Sequence, residues 1–203
     1  MKLPIEIDTV KGFLDPEEGR ALYDAAAATA ALGCALEVGS YCGKSAVYLG
    51  TACRDAGGLL FCVDHHRGSE ENQPGWEYHD TELWDDEAGA MDTLPFLRRT
   101  LRRAGLEDHA IPMVGRSDVI ARYWATPLGF LFIDGGHTMT AALGDWRGWT
   151  PHLKAGGLLA IHDVFPDPAD GGRPPFEIYQ RALASDLYEE VLSVKSLRIL
   201  RKL

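Results

Sequence analysis

Short apolar runs alternate along the chain with longer amphipathic stretches. Five of these runs end near residues 38, 63, 114, 133 and 161, and polar or glycine residues gather at their ends. Each run is apolar throughout, as expected for a strand that a sheet buries on both faces. Strands that alternate with helices in this way predict a parallel sheet covered by helices on both sides.

The predicted strands span residues 34–38, 59–63, 110–114, 129–133 and 158–161. Helices are predicted over 16–32, 43–55, 86–104, 138–153 and 175–184, with a short one after Ser117. Two further stretches, 188–194 and 196–203, are separated by so few residues that they predict an antiparallel hairpin at the sheet edge. The predicted fold class is α/β: a Rossmann-like, doubly wound, mostly parallel seven-stranded sheet with a C-terminal antiparallel hairpin.

The length of 203 residues predicts one domain over residues 1–203, with 1–33 as an N-terminal helical segment. Segments 65–87 and 165–175 are long for connections between a strand and a helix, which makes them candidate lids or acceptor walls. Within the first segment, Trp76, Tyr78, His79 and Trp84 could stack on an apolar face of a ligand.

A formal net charge of -10 argues against a nucleic-acid partner, because a phosphate-binding surface should be basic. The same charge repels anionic membranes, and no apolar run reaches the roughly 18 residues that a bilayer span requires. Residues 1–10 lack the features of a secretory signal, so we expect a cytoplasmic location. Small neutral or cationic partners are favoured.

The segment EVGSYCG, residues 37–43, joins the first strand to its helix. Its glycines allow a tight turn and a close backbone approach, and the helix start offers free N–H groups. The Glu37 carboxylate would repel a pyrophosphate, whereas it would attract the ammonium group of a sulfonium amino acid. Two glycines at this spacing also fall short of the dinucleotide fingerprint, although a purely geometric role for them stays open.

Two other strand ends suit a nucleoside. Asp64 ends the second strand, where a carboxylate can accept both ribose hydroxyls. Ser117 follows the third strand, where a hydroxyl and backbone N–H groups could meet an adenine edge. A solvated Asp64 with no ligand is the plainer alternative.

EVGSYCG, the strand-end Asp64, LFIDGGH and WTPHLKAGGLLAIHDV together resemble the class I S-adenosylmethionine-dependent methyltransferases. They are similar to the group with Asp-Gly-x-His after strand four and His-Asp after strand five. The resemblance covers about residues 35–164 and implies S-adenosylmethionine (SAM) as cofactor. We assign the cofactor-binding residues as Glu37, Gly39, Ser40, Tyr41, Gly43, Ser45, Asp64, His65, Ser117 and Asp134.

The expected catalytic part of the site contains Asp134, His137 and Asp163. Carboxylates at the ends of neighbouring strands converge, and they need a cation or a proton between them. Oxygen ligands suit Mg²⁺, with Mn²⁺ or Ca²⁺ as alternatives. Similarity to metal-dependent macrolide-sugar O-methyltransferases implies Asp134 and Asp163 as ligands and His137 as general base, and His162 is a candidate ligand or supporting group.

This resemblance predicts methyl transfer to a hydroxyl of a small molecule, with a sugar hydroxyl favoured and a phenol or catechol next. A metal-independent enzyme that uses His137 alone stays open. An NAD-dependent oxidoreductase and a non-catalytic cofactor-binding module are the rival classes. A homodimer is the expected assembly if the chain pairs.

Overall fold

The computed structural model describes residues 1–76, 78–136 and 138–203. Its strands, in chain order, are β1 (Cys34–Val38), β2 (Leu60–Asp64), β3 (Trp84–Asp85), β4 (Ala90–Met91), β5 (Ala110–Val114), β6 (Leu128–Ile133), β7 (Leu153–Ile161), β8 (Tyr188–Val194) and β9 (Leu197–Lys202). Its α-helices are α1 (Pro16–Thr29), α2 (Lys44–Ala56), α3 (Leu94–Ala104), α4 (Ser117–Ala121), α5 (Met139–Trp149) and α6 (Arg173–Ala184). Within these residues, every helix is too short or too polar to cross a bilayer.

Seven strands form the main sheet, in the order β5-β2-β1-β6-β7-β9-β8. The first five pair in parallel, and β9 runs antiparallel between β7 and β8. The predicted fold class, a mostly parallel seven-stranded sheet with a C-terminal antiparallel hairpin, is confirmed. Because all five parallel strands point the same way, their carboxyl ends meet along one edge of the sheet.

The sheet is buried between two helical layers. Alternate residues of each strand face opposite layers, as the strand pleat requires. On one face Ala35 and Phe132 pack among α1, α2 and α3. On the other face Leu36 and Val38 join the fully buried Trp149 and residues of α4, α5 and α6.

Three predicted boundaries differ from the structure by four residues or more. The helix predicted over 86–104 begins at Leu94, because Trp84–Asp85 pairs with Ala90–Met91 in a small hairpin that the pattern did not indicate. The last parallel strand begins at Leu153 instead of 158, since Leu153 already pairs with Leu128 before the register shifts. Helix α5 ends at Trp149, where a 3-10 turn over Thr150–His152 takes over.

Helix α1 is fastened to the C-terminal hairpin by the buried carboxylate of Glu18. Its Oε1 accepts hydrogen bonds from the backbone of Ser196 and Leu197, at 3.0 and 3.1 Å, and from the Ser196 hydroxyl at 2.9 Å. Its Oε2 lies 2.9 Å from Nε2 of His162, directly after β7. One side chain therefore joins the N-terminal helix to the last hairpin and to the edge of the sheet.

We expect Glu18→Ala to lower the free energy of unfolding by about 3 kcal/mol, because it strands buried donors and a buried histidine without their partner. Glu17→Ala is the matched control: its side chain is 73% exposed, so a change within about 0.5 kcal/mol is expected. Urea denaturation of both variants measures the difference. Equal stability of the two would contradict this role of Glu18.

Candidate active site

A cleft of about 910 Å³ opens at the carboxyl edge of the parallel strands. Its walls come from the turns after all five of those strands and from residues 11–14 of the N-terminal segment. Of the predicted site residues, those on the wall are Gly39, Ser40, Tyr41, Ser45, Asp64, His65, Ser117, Asp134, His162 and Asp163. Glu37 and Gly43 are not part of the wall, and His137 lies outside the described residues.

Glu37 lies directly behind the cleft, fully buried on the α2 side of β1. The Ser45 hydroxyl donates a 2.8 Å hydrogen bond to Oε2, whereas Oε1 has no hydrogen-bond partner among the described residues. Burial raises the pKa of Glu37 to about 7, although the Ser45 hydrogen bond opposes this shift. A buried carboxyl with an unused oxygen is a site that a cation would stabilise.

The Asp64 carboxylate organises two turns at once. Its Oδ2 accepts from the backbone N–H groups of Ser40 and Tyr41, at 3.0 and 2.9 Å, and Oδ1 accepts from that of His66 at 2.7 Å. Tyr41 and His66 both adopt left-handed backbone conformations, with φ of 47° and 60°. Each carboxylate oxygen can accept two hydrogen bonds, so Oδ1 retains capacity for a ligand hydroxyl.

The two glycines of the β1 turn have different surroundings. Gly39 has φ +90°, and a Cβ there would collide with the backbone of Asp134, so this glycine lets the turns after β1 and β6 touch. Gly43 has φ +93°, and its Cβ would come within 2.8 Å of Leu97 on α3. Gly43 therefore allows the left-handed turn before α2 and leaves room for α3 to pack against it, on the side away from the cleft.

Asp134, His162 and Asp163 are brought together, as the sequence predicted for strand ends. Nδ1 of His162 lies 3.1 Å from Oδ1 of Asp134 and 3.4 Å from Oδ1 of Asp163. One ligand atom from each of the three residues fits within 4.8 Å of the others, a grouping that could hold a metal ion. Asp163 has φ 56°, a strained conformation of the kind that functional sites retain.

The buried ring of His162 lies between three carboxylates, because Glu18 holds its other nitrogen. Burial alone would lower the pKa of His162, but these three carboxylates outweigh burial and raise the pKa above its ordinary value. The cluster therefore attracts positive charge, either as a proton on His162 or as a cation between the strand ends.

A second acidic group on the wall was missed by the sequence reasoning. Asp145, on α5, is 6% exposed and accepts a 2.5 Å hydrogen bond from the Ser117 hydroxyl. Nε1 of Trp149 donates to that same hydroxyl at 2.7 Å. Burial raises the pKa of Asp145 to about 6, although the Ser117 hydrogen bond opposes this shift. Asp145 resembles any polar residue on a helix surface, so its sequence context carried no signal.

Aromatic side chains form the outer part of the cleft. Phe13, which is 69% exposed, has its ring 5.9 Å from that of Tyr41 and 5.4 Å from that of Tyr78. Tyr78 is the one aromatic residue predicted for stacking that lies on the wall; Trp76 and Trp84 do not. Phe13 was missed, because nothing in the N-terminal pattern indicated that this segment reaches the site.

The two candidate lid segments both contribute to the wall. From 65–87 it includes His65, Gly68, Ser69, Glu71, Asn72 and Tyr78, and from 165–175 it includes Phe165, Asp170, Gly171, Gly172 and Pro175. Lys11 ties the N-terminal segment to the first of these loops through Asp80 at 2.5 Å and Glu82 at 2.7 Å. Whether either segment closes over a ligand stays a prediction.

A glycine turn after β1, an acid ending β2 and a cleft at the switch point between β1 and β6 are features of an α/β protein that binds a nucleoside cofactor. Residues 36–164 match the model of the methyltransferase domain family, and the chain belongs to that family. The predicted class, a SAM-dependent methyltransferase, is therefore confirmed.

Solved structures of O-methyltransferases share this fold. The chain is similar to NovP, with a TM-score of 0.69 and 15% identity over 92% of this chain and 78% of that one. It is similar to an O-methyltransferase from Bacillus cereus in complex with S-adenosylhomocysteine (SAH), with a TM-score of 0.64 and 15% identity over 94% and 83% of the two chains. CalS11, a TDP-rhamnose 3'-O-methyltransferase of calicheamicin biosynthesis, gives a TM-score of 0.63 and 14% identity over 91% and 77%.

The raised pKa of Glu37 predicts a pH-dependent stability. The folded protein holds the Glu37 proton more tightly than the unfolded chain does, so this contribution is full below about pH 4.5 and is lost as the pH rises to about 7. When the pH rises from 5 to 8, the free energy of unfolding of the wild type should therefore fall by about 2 kcal/mol more than that of Glu37→Gln. Urea denaturation of the ligand-free proteins at both pH values measures this, and identical losses would contradict it.

Proposed function

We propose that this methyltransferase transfers the methyl group of SAM to a hydroxyl group of a small molecule, a sugar or glycoside, with the help of a divalent cation. The observation that carries the proposal is the cluster of Asp134, His162 and Asp163 on the wall of the cleft that also contains the β1 turn. O-methyltransferases of similar fold, among them a sugar methyltransferase, support it.

The cleft fits SAM through groups that lack partners of their own. SAM, when bound, supplies an electrophilic methyl group on a sulfonium sulfur. Glu37 offers an unpartnered buried oxygen close to the β1 turn, and the buried Ser40 hydroxyl likewise has no hydrogen-bond partner among the described residues. We assign the methionine end to these residues and the ribose to the remaining capacity of Asp64.

The acidic cluster fits a divalent cation held by Asp134, Asp163 and Nδ1 of His162. Such an ion would supply Lewis-acid stabilisation of the acceptor oxygen as its proton leaves. Glu18 prepares His162 for this role by accepting a hydrogen bond from its Nε2–H. With the proton of the neutral ring on Nε2, the lone pair of Nδ1 faces Asp134 and Asp163 and is available to a metal ion. The two carboxylates suit Mg²⁺ or Mn²⁺, whereas the imidazole nitrogen is a ligand that transition-metal ions accept more readily than Mg²⁺ does.

His137 is proposed as the general base, on the strength of its place in the segment LFIDGGH. A sugar hydroxyl is a very weak acid, so its proton must be removed as the oxygen attacks. In the sequence this base follows Asp134 by three residues. Methyl transfer needs an in-line approach, which the protein supplies by orienting the acceptor.

The aromatic side chains at the mouth of the cleft would receive the acceptor. Phe13, Tyr41 and Tyr78 present ring faces and edges beside the acidic residues of the wall. Stacking on the apolar face of a sugar, with carboxylates for its hydroxyls, is compatible with such a surface. The proposal also includes a small-molecule acceptor, a cytoplasmic location and pairing as a homodimer, with no nucleic-acid or membrane partner.

A metal-independent enzyme acting on a phenol is the second candidate. The position of His162 favours it, because a protonated imidazole between Asp134 and Asp163 would offset part of their negative charge without a metal. A phenol also loses its proton far more readily than a sugar hydroxyl does. Direct measurement of metal binding separates the two candidates.

Mn²⁺ titration followed by electron paramagnetic resonance is expected to reveal one site on the wild-type protein. Asp163→Asn should weaken that site at least tenfold, because it removes one charged ligand. The control is Asp167→Asn, four residues further along in an exposed part of the same loop, which should bind as the wild type does. Absence of binding to the wild type would favour the metal-independent enzyme.

His137→Ala is expected to slow methyl transfer at least 100-fold and to leave the affinity for SAH unchanged, because a base acts on the acceptor and not on the cofactor. Transfer from radiolabelled SAM to TDP-rhamnose and to catechol measures the rate and compares the two acceptor classes. His109→Ala, which alters a residue at the opposite edge of the sheet, serves as control. Full activity of His137→Ala would exclude His137 as the base.

A further inference from the structure

We infer that the acceptor is an uncharged glycoside whose aglycone packs against Phe13, Tyr41 and Tyr78, and that a sugar still attached to a nucleoside diphosphate is a poor acceptor. This inference rests on the proposed function and narrows its acceptor to one class of compound. It also sets the order of two reactions, because glycosyl transfer to the aglycone must then precede methylation.

Phe13 presents an exposed ring although the segment that carries it is anchored. Val10 and Leu14, on either side of it, are buried. The Lys11 ammonium pairs with two carboxylates of the loop that follows β2. The ring is therefore held at the cleft with most of its apolar surface in water. An apolar ligand that covers such a ring gains free energy from the water it displaces.

Tyr41 and Tyr78 extend this apolar surface. The Phe13 ring lies 5.9 Å from that of Tyr41, at 37° between the planes, and 5.4 Å from that of Tyr78, at 74°. The cleft volume of about 910 Å³ is near the upper end of the range of about 300–1,000 Å³ that small-molecule sites span. There is thus room beside SAM for an acceptor larger than one sugar, and an apolar aglycone would use both the room and the rings.

The charges of the cleft wall oppose a diphosphate. Each candidate lid segment places one carboxylate on the wall, Glu71 from the first and Asp170 from the second, and among the described residues neither segment places a lysine or arginine there. Like charges repel more strongly in a partly enclosed cleft than in bulk water. The proposed cation would not change this, because Asp134 and Asp163 would balance its two charges. A nucleoside diphosphate meets this repulsion, whereas an uncharged aglycone does not.

The four lysine and arginine residues on the described wall have other partners. Lys11 is held by carboxylates, and Arg116 and Arg122 both pair with Asp118, after β5. The fourth, Lys44, donates to a backbone carbonyl at 3.3 Å. It directly follows the β1 turn, where the proposed function places the methionine end of SAM, and that end brings a carboxylate of its own. These cations therefore do not form a diphosphate site at the two lid segments.

The two reactions then have a fixed order. In glycosyl transfer, the bond between the anomeric carbon and a diphosphate oxygen breaks, a bond to an aglycone oxygen forms, and the nucleoside diphosphate and a proton leave. In the methylation that follows, the methyl carbon moves from the sulfur of SAM to a sugar oxygen, which loses its proton, and SAH remains. The reaction that supplies the substrate is thus a glycosyl transfer, and this enzyme acts on its product.

Matched pairs of acceptors test the inference. Each pair shares one sugar (rhamnose, glucose, galactose or fucose) that carries either a 4-nitrophenyl group or a nucleoside diphosphate. Transfer from radiolabelled SAM in the presence of Mg²⁺ gives kcat/KM for each compound. In the most active pair, kcat/KM should be at least tenfold higher for the 4-nitrophenyl glycoside. Asp170→Asn should raise the value for the nucleotide sugar several-fold and leave that for the 4-nitrophenyl glycoside unchanged, because it removes only repulsion.

Phe13→Ala should lower kcat/KM at least fivefold for the 4-nitrophenyl glycoside and leave it unchanged for the methyl glycoside of the same sugar, which has no ring to cover. Tyr123→Ala is the matched control, because Tyr123 is an aromatic residue that is 87% exposed but does not lie on the wall.

An equal or higher kcat/KM for the nucleotide sugar would overturn the inference alone, and so would an unchanged value for the 4-nitrophenyl glycoside in Phe13→Ala. Binding of SAH without transfer to any of these sugars would overturn the sugar acceptor of the proposed function together with the inference.

Discussion

The Asp64 carboxylate holds the turns after β1 and β2 in place, and the rest of the cleft is built on that arrangement. Three backbone N–H groups converge on it, two of them from residues with left-handed backbone conformations. Such conformations cost energy and persist where the surroundings compensate for them. With the β1 turn fixed, Gly39 can pack against the Asp134 backbone, which brings the turn after β6 to the same place.

Acidic groups gather along this edge in a protein that already has a net charge of -10. Glu37, Asp64, Asp134, Asp145 and Asp163 all lie on or directly behind the cleft wall. Their mutual repulsion makes the empty cleft unfavourable and a cationic ligand favourable. The proposed function supplies positive charge here in two ways. SAM contributes its sulfonium and ammonium groups, and a divalent cation would bind at the end of β7.

Much of this layout could be predicted, because buried parallel strands are apolar throughout and their ends are marked by the first polar residue. Asp64, Asp134 and Asp163 were located in that way. Phe13 and Asp145 could not be located from the sequence. Phe13 is an aromatic residue before a helix and Asp145 an acid within a helix, and neither has a local feature that reveals a distant partner. The hairpin of β3 and β4 was missed for a similar reason: two residues per strand are too few to form a pattern.

The bond between Glu18 and His162 also bears on how the protein is made. Helix α1 leaves the ribosome before Ser196 and Leu197, whose backbone N–H groups donate to the Glu18 carboxylate. The strand that contains Leu197 must insert between β7 and β8 before the carboxylate has all its partners. Synthesis of the chain through this strand therefore precedes the final alignment of His162, and a nascent chain stalled before it would have an unfinished acidic cluster.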